Sequence, residues 1–115
     1  MPVTIYHNPR CSKSRQTLAL LRSHEVEPEI IHYLETPPSE DELERILHLL
    51  DREPRDLMRK KEAPYAALGL DDPALDRRAL IRAMVDNPIL IERPVVVTET
   101  AAAVGRPPED VLQIL

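Results

Sequence analysis

Residues 3–34, VTIYHNPRCSKSRQTLALLRSHEVEPEIIHYL, predict the first half of the fold. The β-branched run VTIY indicates a strand that stops at the Asn8-Pro9 turn. The following CSKSRQTLALLRSH carries apolar residues at helical spacing, which predicts a helix beginning near Cys11. PEIIHYL then indicates a second strand. Strand, helix and strand within about 30 residues form a βαβ unit with parallel strands.

The middle of the chain is expected to be helical. TPPSEDELERILHLL predicts a helix, because Ser39 and Glu42 match a capping box and apolar residues follow at helical spacing. Glu53 to Asn87 predicts further short helices punctuated by prolines, the longest being LDRRALIRAMVDNP.

The last segment predicts two strands and a helix. RPVVVTE has the apolar run of a buried strand, AAAVG is expected to be its hairpin partner, and RPPEDVLQIL is expected to end the chain as a helix. The order βαβ, helices, ββα is that of an α/β fold: a thioredoxin-like mixed sheet with a helical insertion between its two halves. We expect residues 1–115 to form a single domain.

The composition excludes several classes of function. The chain has 115 residues and a net charge of -5, with three Tyr and no Phe or Trp, which argues against nucleic-acid binding. No signal-peptide pattern is visible and no apolar run approaches the ~20 residues of a membrane span. With a single cysteine, the expected location is a reducing compartment, the cytoplasm. The two glycines exclude a glycine-rich nucleotide loop, and the scattered histidines predict no metal site.

The single thiol, Cys11, lies at a turn from strand to helix, where backbone N–H groups and the helix dipole favour the thiolate. Nearby bases act in the same direction: His7, Arg10, Lys13 and Arg15. We therefore predict a reactive nucleophile. CSKS is C-x-x-S, which excludes dithiol exchange within the chain, and Thr17 stands where a C-x5-R phosphatase loop needs arginine.

Three arginines lie near predicted turns or element boundaries: Arg59, Arg93 and Arg106. Arg93 precedes Pro94, which opens the buried strand. In thioredoxin-like folds a cis-proline at this place faces the active-site cysteine, which would bring Arg93 to Cys11. Guanidinium groups bind oxyanions through paired N–H donors, so converging arginines would form an oxyanion pocket.

The sequence resembles the glutaredoxin-dependent arsenate reductase family, which has a thioredoxin-like fold. The matching stretches are IYHNPRCSKSR, EPEIIHYLETPPSEDEL, LMRKKEAPY, NPILIERPVVV and GRPPEDVLQIL, in order along nearly the whole chain. Arg10, the SKS after the thiol and the end at Leu115 make it more similar to a shorter, housekeeping-like branch.

The resemblance implies roles for individual residues. Cys11 matches the nucleophile that attacks arsenate. Arg59, Arg93 and Arg106 match the arginines that bind the oxyanion, while Pro94 is structural. The residues that support the thiolate are His7, Ser14 and Arg15.

The resemblance also implies partners. One thiol cannot deliver the two electrons of arsenate reduction catalytically, so external thiols must complete the cycle. The family is expected to use glutathione as cosubstrate and then glutaredoxin, with arsenate or a similar oxyanion as substrate. We expect a monomer with no bound cofactor, no metal, no nucleic-acid partner and no membrane partner.

Two other functions stay open at this point. A monothiol oxidoreductase could act on another oxyanion or on mixed disulfides. A Spx-like redox regulator would instead bind RNA polymerase, although such regulators typically carry the C-x-x-C switch that CSKS lacks.

Overall fold

A computed structural model describes residues 2–115, which divide into two compact units. The first, here called the sheet unit, contains the described residues up to Thr36 together with Arg93–Leu115. The second, the helical unit, is Pro37–Glu92. The helical unit is thus inserted between the two halves of the sheet unit, as the sequence predicts. The single domain of residues 1–115 stays a prediction.

The sheet unit is built on four short strands: β1 (Thr4–Tyr6), β2 (Glu29–Ile31), β3 (Val95–Val97) and β4 (Ala102–Val104). Their order is β2-β1-β3-β4. β1 pairs with β2 in parallel, while β3 pairs antiparallel with both β1 and β4. Helix α1 (Ser12–Ser23) connects β1 to β2, as a parallel crossover requires. The predicted βαβ unit and the β3–β4 hairpin are confirmed.

One row of side chains crosses the sheet and defines its core face. Ile30, Ile5, Val96 and Ala103 are register partners from strand to strand. Leu21 of α1 and Val111 of the last segment pack in the same apolar cluster. All three residues of β3 are buried, which explains its continuous valine run.

The C-terminal segment differs from the expected helix in type. Pro108–Ile114 is a 3₁₀ helix, with backbone N–H groups reaching back three residues, as from Asp110 to the Pro107 carbonyl at 3.0 Å. The segment is short, and Val111 anchors it in the core, so packing rather than an α-helical ladder fixes it.

The helical unit contains α2 (Glu40–Leu50), α3 (Ala63–Ala67) and α4 (Arg77–Asp86), with 3₁₀ turns at Pro54–Leu57 and Pro88–Leu90. The Ser39 side chain accepts a hydrogen bond from the Glu42 N–H at 3.1 Å, the predicted start of α2. α2 packs against α4, burying apolar residues of both helices. Among residues 2–115, no helix is long and apolar enough to cross a membrane.

Candidate active site

The register of the sheet brings three distant segments to one end of it. Tyr6, Val95 and Val104 are aligned across β1, β3 and β4. β1 and β4 end here and β3 begins here, so the residues after Tyr6, before Val95 and after Val104 share this end. These are the segments that carry Cys11, Arg93 and Arg106.

A tight turn between β1 and α1 presents the thiol. The Cys11 N–H donates to the Asn8 carbonyl at 3.0 Å, and the Asn8 side chain accepts from the Arg10 N–H at 3.0 Å. Such Asx geometry fixes the chain just before a helix. Cys11 itself occupies the N-cap of α1; it is buried, and its thiol forms no disulfide.

The surroundings of Cys11 favour its thiolate. Burial raises the pKa of the Cys11 thiol, but hydrogen bonding from the Ser14 N–H, the Arg93 guanidinium and the Lys13 N–H lowers it, and the positive charge of Arg93 lowers it further. The net result is a pKa below the ordinary value. The first turn of α1 contains no acidic residue that would oppose this effect.

Arg106 joins the same site from the end of β4. Its Nη2 lies 3.5 Å from the Cys11 sulfur, although 95 positions separate the two residues. Its Nε donates to the Arg93 carbonyl at 2.7 Å. The side chain of Arg93 and the side chain of Arg106 therefore both reach the thiol, and the backbone of Arg93 orients Arg106.

Pro94 follows Arg93 through a cis peptide bond, as expected from the sequence. Its carbonyl accepts a hydrogen bond from the Gly105 N–H at 2.9 Å. Pro94 thus ties the start of β3 to the end of β4 beside both arginines.

His7 and Ser14 form a buried pair behind the thiol. His7 Nδ1 and Ser14 Oγ share a hydrogen bond of 2.7 Å, and Ser14 Oγ also accepts from the Asn8 N–H at 3.0 Å. Burial lowers the pKa of His7, and the positive charges of His32, Arg22 and Arg15 lower it further. A neutral His7 is therefore favoured, so His7 does not add the positive charge beside Cys11 that the sequence predicts. It instead fixes Ser14, whose N–H acts on Cys11.

The other two predicted residues make different contacts. Arg15 donates from Nη1 to the Pro9 carbonyl at 2.9 Å, so it braces the turn that carries Cys11. Arg59 belongs to the helical unit, where its guanidinium binds Glu92 at 2.9 Å and Glu62 at 3.4 Å. Substrate binding by Arg59 stays a prediction, as do the catalytic roles of the other residues.

Three further residues of this region are not predicted from the sequence as parts of the site: Asn8, Thr17 and Gly105. Asn8 has a signal, since Asn before Pro is typical of a turn that uses the side-chain oxygen. Thr17 and Gly105 meet only through the tertiary fold, so no local pattern predicts their contact. In residues 2–115, no group of three or more His, Cys, Asp or Glu side chains could hold a metal ion.

The lowered thiol pKa predicts the pH dependence of alkylation. We expect the pH midpoint of the iodoacetamide reaction of folded Cys11 to lie below the ~8.5 of a free cysteine. In urea, where the chain is unfolded, the midpoint should lie near that of a free cysteine. Because the folded pKa is the lower one, the free energy of unfolding rises with pH between the two midpoints. This gain is lost as the pH falls through the folded midpoint. Equal midpoints in folded and unfolded protein would contradict the electrostatic account.

The chain is similar to known proteins over nearly its whole length. The ArsC family model matches residues 6–114. The "Uncharacterized protein YfgD" of Escherichia coli K12 is 55% identical over 114 residues, covering 98% of this chain and 96% of that protein. An arsenate reductase of Neisseria meningitidis is 47% identical over 114 residues, covering 98% of this chain and 97% of the relative.

A solved structure is similar over the whole fold. The arsenate reductase from Vibrio cholerae superposes with a TM-score of 0.97 at 53% identity, covering 100% of this chain and 98% of that one. The thioredoxin-like fold with its helical insertion is confirmed. Because the family match and these full-length similarities agree with the resemblance in the sequence, we conclude that the chain belongs to the ArsC family.

Proposed function

We propose that the protein is an arsenate reductase in which Cys11 is the nucleophile. One observation carries the proposal: Arg93 and Arg106 both reach the Cys11 sulfur, whose pKa is lowered at the start of α1. Positive groups round a thiolate suit an anionic substrate that the same thiolate attacks. Relatives named arsenate reductase, similar over nearly their full length, support this choice of oxyanion.

The first step would join the thiolate to arsenic. The Cys11 sulfur attacks the arsenic atom, a sulfur–arsenic bond forms, and one arsenic–oxygen bond breaks. The departing oxygen takes up protons from solvent and leaves as water. Arg93 and Arg106 would hold the remaining oxygens through guanidinium N–H donors and compensate their charge. No electrons have yet been transferred to arsenic.

The second step needs a thiol from outside the chain, because Cys11 is its single cysteine. A glutathione thiolate attacks the Cys11 sulfur, the sulfur–arsenic bond breaks, and its electron pair stays on arsenic. Two thiols are oxidised to one mixed disulfide while arsenate becomes arsenite, so two electrons balance. Glutaredoxin, with more glutathione, would then reduce the mixed disulfide and restore Cys11.

Other residues are proposed to support these steps. His7 and Ser14 hold the N–H that favours the thiolate, while Arg15 braces the turn. Arg59 is proposed from the resemblance as a third oxyanion ligand. Glu62 and Glu92 already bind its guanidinium, so an oxyanion would have to compete with two carboxylates there.

The proposed reductants also suggest where the protein works. Reduced glutathione and glutaredoxin belong to a reducing compartment, so we propose a cytoplasmic location. The proposed chemistry places all the reacting groups in one chain and one external thiol, so we further propose that a monomer suffices. Glutathione is a cosubstrate, and no bound cofactor is required.

A coupled assay tests the proposal. We expect NADPH oxidation through glutathione reductase, glutathione and glutaredoxin to depend on arsenate. Phosphate has the same shape and charge as arsenate but accepts no electrons, so it should give no turnover. Absence of arsenate-dependent turnover, with coupling enzymes active and Cys11 reduced, would contradict the proposal. A monothiol oxidoreductase would instead accelerate the reduction of hydroxyethyl disulfide by glutathione in an assay from which glutaredoxin is omitted.

A further inference from the structure

We propose that Thr17 and Gly105 are positioning residues that set Arg106 against the Cys11 sulfur. Both residues would act through Arg106 rather than on the thiol itself. Their contact fixes how closely the end of β4 approaches α1, and thereby where the Arg106 guanidinium lies. The effect on catalysis rests on the proposed function, whereas the effect on the charge beside Cys11 does not.

Gly105 is required by proximity rather than by its backbone conformation. An added Cβ would overlap the Thr17 Oγ1 and would lie 2.9 Å from the Pro94 Cγ and 3.1 Å from the Thr17 Cγ2. Its φ is not in the left-handed region, in contrast to that of Gly69 at 64°. Gly105 is therefore the residue that lets the end of β4 rest directly on Thr17.

Thr17 connects this contact to the part of α1 that holds the thiolate. Its side chain is fully buried. Thr17 Oγ1 donates to the Lys13 carbonyl at 2.8 Å, and the Lys13 N–H lowers the pKa of Cys11. Thr17 is thus held by the first turns of α1 and presents both its oxygen and its methyl group to Gly105.

Arg106 follows Gly105 directly, so its placement depends on this spacing. Its Nε is held by the Arg93 carbonyl at 2.7 Å, and its Nη2 is already 3.5 Å from the Cys11 sulfur. The Arg106 side chain is otherwise exposed. A Cβ at position 105 must push the end of β4 away from Thr17, and the guanidinium would move away from the sulfur with it.

Two alkylating agents of different charge report how close the Arg106 guanidinium lies to the Cys11 sulfur. Iodoacetate is anionic and iodoacetamide is neutral, and both react with the same thiolate. The ratio of their rates at one pH therefore reports the positive charge beside Cys11, since the thiolate fraction cancels. We expect Gly105→Ala to lower this ratio by about 3- to 10-fold, as Arg106→Gln should, the size expected for one charge at a few ångströms.

A second substitution that makes room for the added Cβ is the sharper test. Thr17→Ala removes the two Thr17 atoms that an added Cβ would meet and leaves only the Pro94 Cγ at 2.9 Å, so the double variant Gly105→Ala, Thr17→Ala should regain part of the wild-type ratio. Gly69→Ala is the matched control. Its Cβ meets nothing within 4 Å, but its φ of 64° strains any side chain, so it should lose stability without changing the ratio.

Several outcomes would overturn the proposal. An unchanged ratio in Gly105→Ala, with Arg106→Gln lowered, would leave Gly105 a role in packing alone. An unchanged ratio in Arg106→Gln would show that Arg106 adds no charge at the sulfur. If Gly105→Ala does not fold, the Thr17 variants provide the test. Thr17→Ala alone should lower the ratio about 2-fold, since the loosened spacing weakens one charge interaction, and Thr17→Ser should keep the wild-type ratio. A wild-type ratio in Thr17→Ala as well as in Thr17→Ser would refute the positioning role.

The coupled assay separates this proposal from the proposed function. Gly105→Ala should raise the KM for arsenate more than it lowers kcat, because the displaced arginine binds the oxyanion. If wild type shows no arsenate turnover, the proposed function fails while the alkylation ratios still decide the role of Thr17 and Gly105.

Discussion

Replacing Cys11 with serine should lower arsenate-dependent turnover by about 1000-fold or more, because the variant loses the group that attacks arsenic. A serine hydroxyl at this position stays protonated at neutral pH, even beside Arg93 and Arg106, and cannot form the mixed disulfide that releases arsenite. The coupled NADPH assay with arsenate measures this loss.

The fold should survive this change, which makes the loss of activity interpretable. Cys11 is the N-cap of α1, and serine is among the preferred N-cap residues, so the melting temperature, measured at a pH below the folded midpoint of the thiol, should stay the same or rise. Residual turnover above a tenth of the wild-type rate would show that another group is the nucleophile. A large fall in the melting temperature would contradict the capping argument.

Removing the Arg93 side chain has the second-largest expected effect. Arg93→Ala should lower kcat/KM for arsenate by about 100- to 1000-fold, the usual loss when one preorganised charge-stabilising donor is removed. The pKa of Cys11 should also rise, because the Arg93 hydrogen bond and charge help to lower it. The alkylation midpoint and the low-pH limb of the pH–rate profile should therefore both move to higher pH.

Stability separates a role in the reaction from a role in the fold. The backbone carbonyl of residue 93 remains in the alanine variant and can still accept from Arg106 Nε, so the melting temperature should change little. Arg82→Ala, which removes an exposed arginine paired with Glu40, is the control for loss of one positive charge. A melting temperature that collapses in parallel with activity would contradict the substrate role of Arg93.

Most of the fold is predictable because its local signals agree with its tertiary contacts. The alternation of strand and helix in residues 3–34 suffices for the parallel pair β1–β2. The three valines of β3 need burial on both faces, and the structure buries all of them. The 3₁₀ form of Pro108–Ile114 is not predictable in this way, because Val111 packing decides it rather than the helix-start signals.

The candidate site is predictable only in part. The turn at Asn8-Pro9 followed by a helix places Cys11 at an N-terminus, which the structure shows. Spacing alone does not select Arg93 and Arg106 from the other arginines, since they reach the thiol through β3 and β4. The resemblance to the arsenate reductase family is what selects these two arginines. The ion pairs of Arg59 with Glu62 and Glu92 likewise depend on contacts that no sequence pattern records.

A single turnover without glutaredoxin tests the central claim most directly. Reduced protein is mixed with excess arsenate and glutathione, and arsenite is quantified while intact and peptide masses locate any adduct. The account predicts one arsenite per chain and one glutathione in disulfide linkage on Cys11, both requiring arsenate. Arsenite formed without a Cys11 adduct, or an adduct that forms equally without arsenate, would contradict it.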